Sequence, residues 1–284
     1  MKMKRNRFGN GLILLSATIL ALLLSGPMGA QEKETGWKDV AELTYVMTGG
    51  NATSSTLGFK NTTDYLWSTA AFQLSLGGVR TQSGIVTRTA TGTPEDFSIS
   101  ETTDTRTTAE NYFVRSRLDR NLSENLFVFG GAGWDRNTFA GVENRYGFVA
   151  GAGRAWFAED TRRLKADVGL TYTIQNDVVA NPDVADSFMG LRGSYDYFRK
   201  VTGNTGFASV LVADENLKET SDFRADWTNS LTVSMSDRLA LKTGLQLLFD
   251  NTPALVAVPL GDGEVLTPLG KVDSLFTVAI VANF

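Results

Sequence analysis

The feature that most constrains the fold is the segment at the end of the chain, KVDSLFTVAIVANF at 271–284. Every second residue from the end is apolar, and this period of two is typical of a β-strand with one apolar face. A strand that ends the chain needs a hydrogen-bonding partner on each side, and a barrel that closes its last strand onto its first supplies both. The apolar face consists of Phe276, Val278, Ile280, Ala282 and Phe284.

The beginning of the chain predicts export. Four basic residues within the first seven positions precede an apolar run at 12–24, and small residues follow up to Ala30. This order is that of a secretory signal peptide, so we expect cleavage after Ala30 and one mature β domain at 31–284. The apolar run is shorter than the about 20 residues that a transmembrane helix needs.

Composition excludes several classes of function. The chain has no Cys and no His, so disulfides, thiolate or imidazole metal sites, Ser-His-Asp triads and His-dependent outer-membrane hydrolases are excluded. Loss of the signal peptide removes four basic and no acidic residues, and the net charge falls from −4 to −8. Such an acidic chain is a poor candidate for nucleic-acid binding. We expect no cofactor.

The body of the chain alternates between apolar and polar residues over segments of ten to fifteen residues, most clearly at 163–175 and 222–235. A soluble β-sandwich also alternates, but its strands are usually shorter than these segments. We therefore predict an all-β fold, a transmembrane antiparallel up-and-down β-barrel of about twelve strands. The strands are predicted at 37–47, 54–63, 66–80, 105–118, 124–137, 144–157, 162–175, 186–198, 204–213, 222–235, 238–250 and 271–284.

The predicted connections are sorted by length. Every second connection, beginning after the second strand, is short, whereas the other set contains two long polar loops at 81–104 and 251–270. Short turns at one rim and long loops at the other are expected for an outer-membrane barrel. A soluble periplasmic barrel or sandwich that acts as a binding module remains the alternative.

The mature chain resembles a known family over nearly its whole length. The residues that carry the resemblance are AELTY at 41–45, TGGN at 48–51, NLFVF at 125–129, WDR at 134–136, GAG at 151–153, NSLTV at 229–233 and SDRLAL at 236–241. This pattern resembles the YdiY-like salt-induced outer-membrane protein family. The resemblance implies an outer-membrane barrel and gives no catalytic residue. The closing strand with its terminal Phe also resembles the signal that the barrel assembly machinery reads.

Charged residues lie opposite the apolar faces of the predicted strands. In a barrel they would point inward, where they either line a passage for small solutes and ions or fill the lumen as a polar core. The predicted lumen-lining residues are Glu42, Lys60, Arg115, Arg117, Lys165, Asp167, Arg192, Asp196, Arg224, Asp226 and Lys242.

Catalytic patterns are weak. The carboxylate pairs Asp214-Glu215 and Asp262 with Glu264 fall in predicted loops, where an envelope hydrolase built on them is the remaining enzyme alternative. The glycine clusters at 130–133 and 151–153 do not complete a nucleotide-binding motif and are predicted to lie within strands. We therefore predict a non-enzymatic barrel in the outer membrane of a Gram-negative-type bacterium. Its predicted partners are the lipid bilayer, the assembly machinery and small solutes or ions.

Aromatic residues near the predicted strand ends are expected to form girdles at the two membrane interfaces. They are Trp37, Tyr65, Trp67, Phe127, Trp156, Phe157, Tyr197, Phe198 and Phe284.

Overall fold

The computed structural model describes residues 35–48, 53–93, 96–159, 161–181, 185–261 and 263–283. The predicted signal peptide at 1–30 and the terminal Phe284 lie outside the described residues. The strands are β1 Gly36–Thr48, β2 Thr53–Leu66, β3 Ala70–Thr93, β4 Asp96–Asn121, β5 Leu126–Asn137, β6 Val142–Glu159, β7 Arg162–Asp177, β8 Ser187–Lys200, β9 Thr205–Asn216, β10 Phe223–Ser234, β11 Leu239–Asp250, β12 Leu255–Leu260, β13 Gly263–Pro268 and β14 Val272–Asn283. A short 3-10 helix at Thr138–Ala140 follows β5.

Twelve of these strands form one closed antiparallel barrel, in which sequence neighbours pair and β14 pairs with both β1 and β11. The predicted all-β barrel of twelve strands is therefore confirmed. The remaining strands, β12 and β13, form a separate two-stranded hairpin within the connection from β11 to β14. Among the described residues, no helix is long and apolar enough to cross a membrane.

The two rims of the barrel differ, as the connection lengths predicted. We call the end with the connections at 67–69, 122–125, 160–161, 201–204 and 235–238 the turn rim, and the opposite end the loop rim. Two predicted loops are wrong in detail, because residues 81–93 and 96–104 continue β3 and β4, and residues 255–268 contain β12 and β13. The sequence at 87–108 is rich in Thr, and this β-branched residue favours an extended backbone even where both faces of a strand meet water.

The alternation of β7 shows how the sequence sets the two faces of the wall. Val168 and Leu170 point outward and are 63% and 55% exposed, whereas Asp167 and Thr171 point inward and are 7% and 5% exposed. Successive side chains of a strand face opposite sides, so an apolar surface lies outside and a polar one inside. This distribution is the reverse of that in a soluble protein.

Candidate functional site: the barrel lumen

All eleven charged residues predicted to line the lumen lie on the inward faces of their strands. They are buried or half-buried, and most of them form hydrogen-bonded groups that link different strands.

The first group surrounds Glu42 on β1. Lys60 on β2 donates to its Oε1 at 3.3 Å, and Lys242 on β11 donates to Oε1 at 2.9 Å and Oε2 at 3.0 Å. Lys242 reaches Glu42 over β14, which presents the small side chain of Ala279 opposite Lys242. Two buried ammonium groups thus share one carboxylate, which links the strands on both sides of the closing strand.

The second group crosses the lumen. Arg117 on β4 donates to Asp167 on β7 at 2.8 Å, and Lys165 on β7 donates to Asp119 on β4 at 3.4 Å. These strands are separated by β5 and β6 in the wall, so the bridges run through the interior. Asp167 also accepts a hydrogen bond from Ser194 at 2.7 Å. This set of contacts, which we call the cross-lumen bridge, narrows the lumen towards the turn rim.

Aromatic rings packed over glycines support the cross-lumen bridge. The guanidinium carbon of Arg117 lies 3.9 Å from the centroid of Phe129, whose ring lies over Gly151 of the neighbouring strand. A Cβ added at Gly151 would fall 2.9 Å from Phe129 Cε1, and one added at Gly153 would clash with Phe127. The GAG segment at 151–153 therefore lies within a strand, as predicted, and provides space for inward-facing aromatic rings.

Between the cross-lumen bridge and the loop rim lies a cavity of about 370 Å³. Its wall carries both basic and acidic side chains from β4 to β10. Ion pairs on this wall join Arg115 to Asp135 at 2.5 Å, Arg192 to Asp214 at 2.7 Å, and Arg224 to Asp222 at 2.9 Å and Asp250 at 3.5 Å.

Two acidic residues of the predicted set have other partners. Asp226 accepts hydrogen bonds from Gln246 Nε2, which lies 2.9 Å from each carboxylate oxygen. Asp196 lies 3.7 Å from the guanidinium of Arg163 near the turn rim. No described group of three or more acidic residues has a geometry that could hold a metal ion.

The segment between β11 and β14 reaches across the loop rim. At its base, Ala254 and Leu269 lie against Gly141, which follows β5 and adopts a left-handed φ of 78°. The β5–β6 connection lies about half-way around the ring from β11, so this segment extends over the cavity. Gly270 and Lys271 form part of the cavity wall.

Some positional predictions are wrong. Asp214 and Glu215 lie in β9 and not in a loop. The Asp214 side chain points into the lumen, where it forms an ion pair with Arg192. The side chains of Phe127 and Phe198 point inward, so they do not belong to a girdle. Of the second carboxylate pair, Asp262 lies outside the described residues.

Other aromatic residues do form an outer row near the turn rim. Tyr65 packs edge-on between Trp37 and Trp67, with ring centroids 4.7 Å and 4.5 Å away. Trp37 is 69% exposed on the outer surface. Close to this row, Asp39 faces outward and accepts hydrogen bonds from Thr63 at 2.6 Å and Asn61 at 2.9 Å. The outward-facing carboxylate of Asp39 thus has hydrogen-bond donors on the neighbouring strand, next to the aromatic row.

Sequence reasoning missed several lumen residues. Asp119, Asp135, Arg145, Asp222 and Gln175 all take part in inward hydrogen bonds. Most of them lie at strand ends, where the alternation stops, or on β6. In β6 the inward positions include glycines, so the sequence does not show which side chains point into the lumen.

Comparison with known proteins identifies the family. A family model described as "Protein of unknown function, DUF481" matches residues 41–256, most of the chain. The chain belongs to this family. DUF481 is the family that the YdiY-like resemblance indicated, so that prediction is confirmed. No curated protein matches this DUF481 chain.

Solved structures show more distant likenesses. This DUF481 chain is similar to the NanC porin at 11% identity and a TM-score of 0.46, covering 86% of this chain and 98% of that one. It is similar to the translocator domain of the autotransporter NalP from Neisseria meningitidis at 9% identity and a TM-score of 0.44, covering 89% and 90%. Likeness to an anion-selective porin from Comamonas acidovorans has 11% identity and a TM-score of 0.38, covering 88% and 100%. At TM-scores below 0.5 these likenesses assign no function to the chain.

Proposed function

We propose that this protein is an integral barrel of the bacterial outer membrane, without enzymatic activity, that gives small solutes or ions a narrow passage. The observation that carries the membrane assignment is the reversed polarity of the wall. Outward residues such as Leu170 and Phe276 are 55% and 67% exposed, whereas inward charged residues are hydrogen-bonded inside. In a hydrocarbon surrounding, a closed barrel satisfies every backbone group and an apolar outer face costs nothing.

Assembly completes this proposal. Removal of the predicted signal peptide would deliver the chain to the periplasm, where the barrel assembly machinery would recognise the closing strand and its apolar face. Phe276, Val278 and Ile280 of that face point outward and are exposed in the folded barrel, so their contribution is to the membrane-facing surface.

Membrane fractionation tests the location. We expect the mature chain to remain in outer-membrane pellets after washing with urea or alkaline carbonate, because its apolar wall is solvated by lipid. In electrophoresis it should migrate differently with and without boiling, because a closed barrel resists detergent. Release into the soluble fraction would support the periplasmic binding module instead.

The passage is supported by the cavity, which lies inside the barrel and is walled by charges of both signs. A structural role is the second candidate, because the cross-lumen bridge and the aromatic rings beside it occupy the lumen near the turn rim. The two functions differ in one measurable property, the ion conductance of the folded barrel.

Charge-selective conductance in planar bilayers tests the passage. The two members of the Arg192–Asp214 pair have side chains that are 36% and 30% exposed, so each tolerates neutralisation better than a buried charge. We expect Arg192→Gln to shift permeability towards cations and Asp214→Asn to shift it towards anions, because fixed charge sets the local ion concentration. Arg154→Gln alters an outward, exposed residue and should change neither. Folded protein without conductance would favour the structural role.

A further inference from the structure

Arg145 on β6 differs from the other basic residues inside the barrel. It lines the cavity, and its Nε donates to Gln175 Oε1 at 2.7 Å. Among the described residues, no carboxylate oxygen lies within 4.0 Å of its guanidinium nitrogens. Eight other inward cations each have such a partner: Lys60, Arg115, Arg117, Arg163, Lys165, Arg192, Arg224 and Lys242.

A second guanidinium shares the acceptor of Arg145. Arg224 Nη1 donates to the same Gln175 Oε1 at 3.0 Å. The amide is held in this orientation because its Nε2 donates to Asp177 at 2.6 Å. Gln175 Oε1 thus accepts two hydrogen bonds, and within the described part of the chain the Nη groups of Arg145 have no protein acceptor.

Of the carboxylates near this position, two are bonded to other arginines, Asp250 lies 3.5 Å from Arg224, and Asp177 accepts a hydrogen bond from Gln175. Asp135 is bonded to Arg115, and Asp222 is bonded to Arg224 at 2.9 Å and 3.0 Å. The Arg145 side chain is half-buried, and a partly desolvated guanidinium without an ion-pair partner favours an anionic ligand. The complement of a guanidinium fork is a planar or tetrahedral oxyanion, which accepts two parallel N–H bonds.

We infer that Arg145, positioned by Gln175 beside Arg224, binds a small oxyanion, a carboxylate or a phosphate, within the lumen cavity. The cavity volume of about 370 Å³ is in the range of small-molecule sites. This assignment names the solute class of the proposed passage. It rests on the proposed function only in requiring that solutes reach the cavity from the loop rim. Binding itself can be measured on detergent-solubilised barrel without any conductance.

The test is calorimetric titration of the full chain, purified from membranes, with sodium phosphate and separately with sodium acetate, at constant ionic strength set by chloride. We expect saturable binding of at least one probe. Arg145→Gln should weaken it at least tenfold, and Arg145→Lys should weaken it less because the charge remains while the fork is lost. Arg154→Gln, on the outward face of the same strand, should bind as the wild type does.

A second variant has the opposite expected sign. Asp226 lines the same cavity, and its hydrogen-bond partners are the neutral side chains of Gln246 and Thr228. Asp226→Asn removes a negative charge near the site and should strengthen anion binding several-fold. Heat-modifiable migration shows which variants have folded. No saturable binding of either probe to folded wild type, or binding by folded Arg145→Gln as tight as that of the wild type, would overturn the inference while leaving the membrane location standing.

Discussion

Glu42→Gln is expected to lower the free energy of unfolding by about 3–5 kcal/mol, the usual cost of removing one partner of a buried ion pair. The ammonium groups of Lys60 and Lys242 share this carboxylate, and their side chains are only 3% and 8% exposed. With Gln at 42, two positive charges would face each other across one neutral amide. Urea unfolding of the barrel in lipid vesicles, followed by tryptophan fluorescence, measures the change.

A double variant separates this electrostatic effect from a loss of packing. Glu42→Gln combined with Lys60→Gln removes one of the two uncompensated charges, so it should be more stable than Glu42→Gln alone. Glu143→Gln is the matched control, because Glu143 has a side chain that is 52% exposed and lies 3.9 Å from Arg136. Exposed pairs contribute about 0–1 kcal/mol. Equal stability of Glu42→Gln and the control would show that the three side chains do not act as one group.

The wall of the barrel could be predicted from the sequence because lipid and lumen impose opposite polarities on alternate residues. In β7 and β10 the alternation extends over most of the strand, and the structure places their apolar residues outward. In β14 Phe276, Val278 and Ile280 also point outward, although Leu275, Ala279 and Val281 on the other face are apolar and buried. Because short and long connections alternate along the chain, the sequence also indicated which connections lie at each rim. Both signals are local, so they need no knowledge of which strands meet across the lumen.

The hairpin at the end of β3 and β4 escaped prediction for a physical reason. Beyond the irregularity between Thr81 and Gln82, the two strands continue to pair as far as Thr93 and Asp96. The residues of this extension with described side chains are mostly exposed and polar. Where both faces meet water, the sequence has no alternation, and only the β-branched Thr residues indicate a strand.

The partners inside the lumen depend on distances that the sequence does not contain. Arg117 and Asp167 are 50 residues apart and meet because β5 and β6 curve around the interior. Arg145 shows a further limit, since its inward neighbours on β6 include Gly147 and Gly151. Glycine gives no polarity signal, so the facing of Arg145 followed only from the register of β6 with β5 and β7.

Leu170→Arg is expected to lower the free energy of unfolding by about 2–4 kcal/mol if the outer face of β7 meets hydrocarbon near the bilayer midplane. Leu170 lies in the middle part of β7, points outward and is 55% exposed. Its neighbours across the sheet are Ala150 and Leu191, so no acidic side chain lies opposite the new guanidinium.

The control for this substitution lies three residues further along the same strand. Thr173 points into the cavity, and Thr173→Arg places the same charge where water and carboxylates can solvate it, so its cost should be below that of Leu170→Arg. Both variants are compared by urea unfolding in vesicles. In a soluble barrel the order would reverse, because Arg at an exposed position would cost little and Arg in the interior would cost more. The sign of the difference between the two variants therefore reports which face of β7 meets lipid.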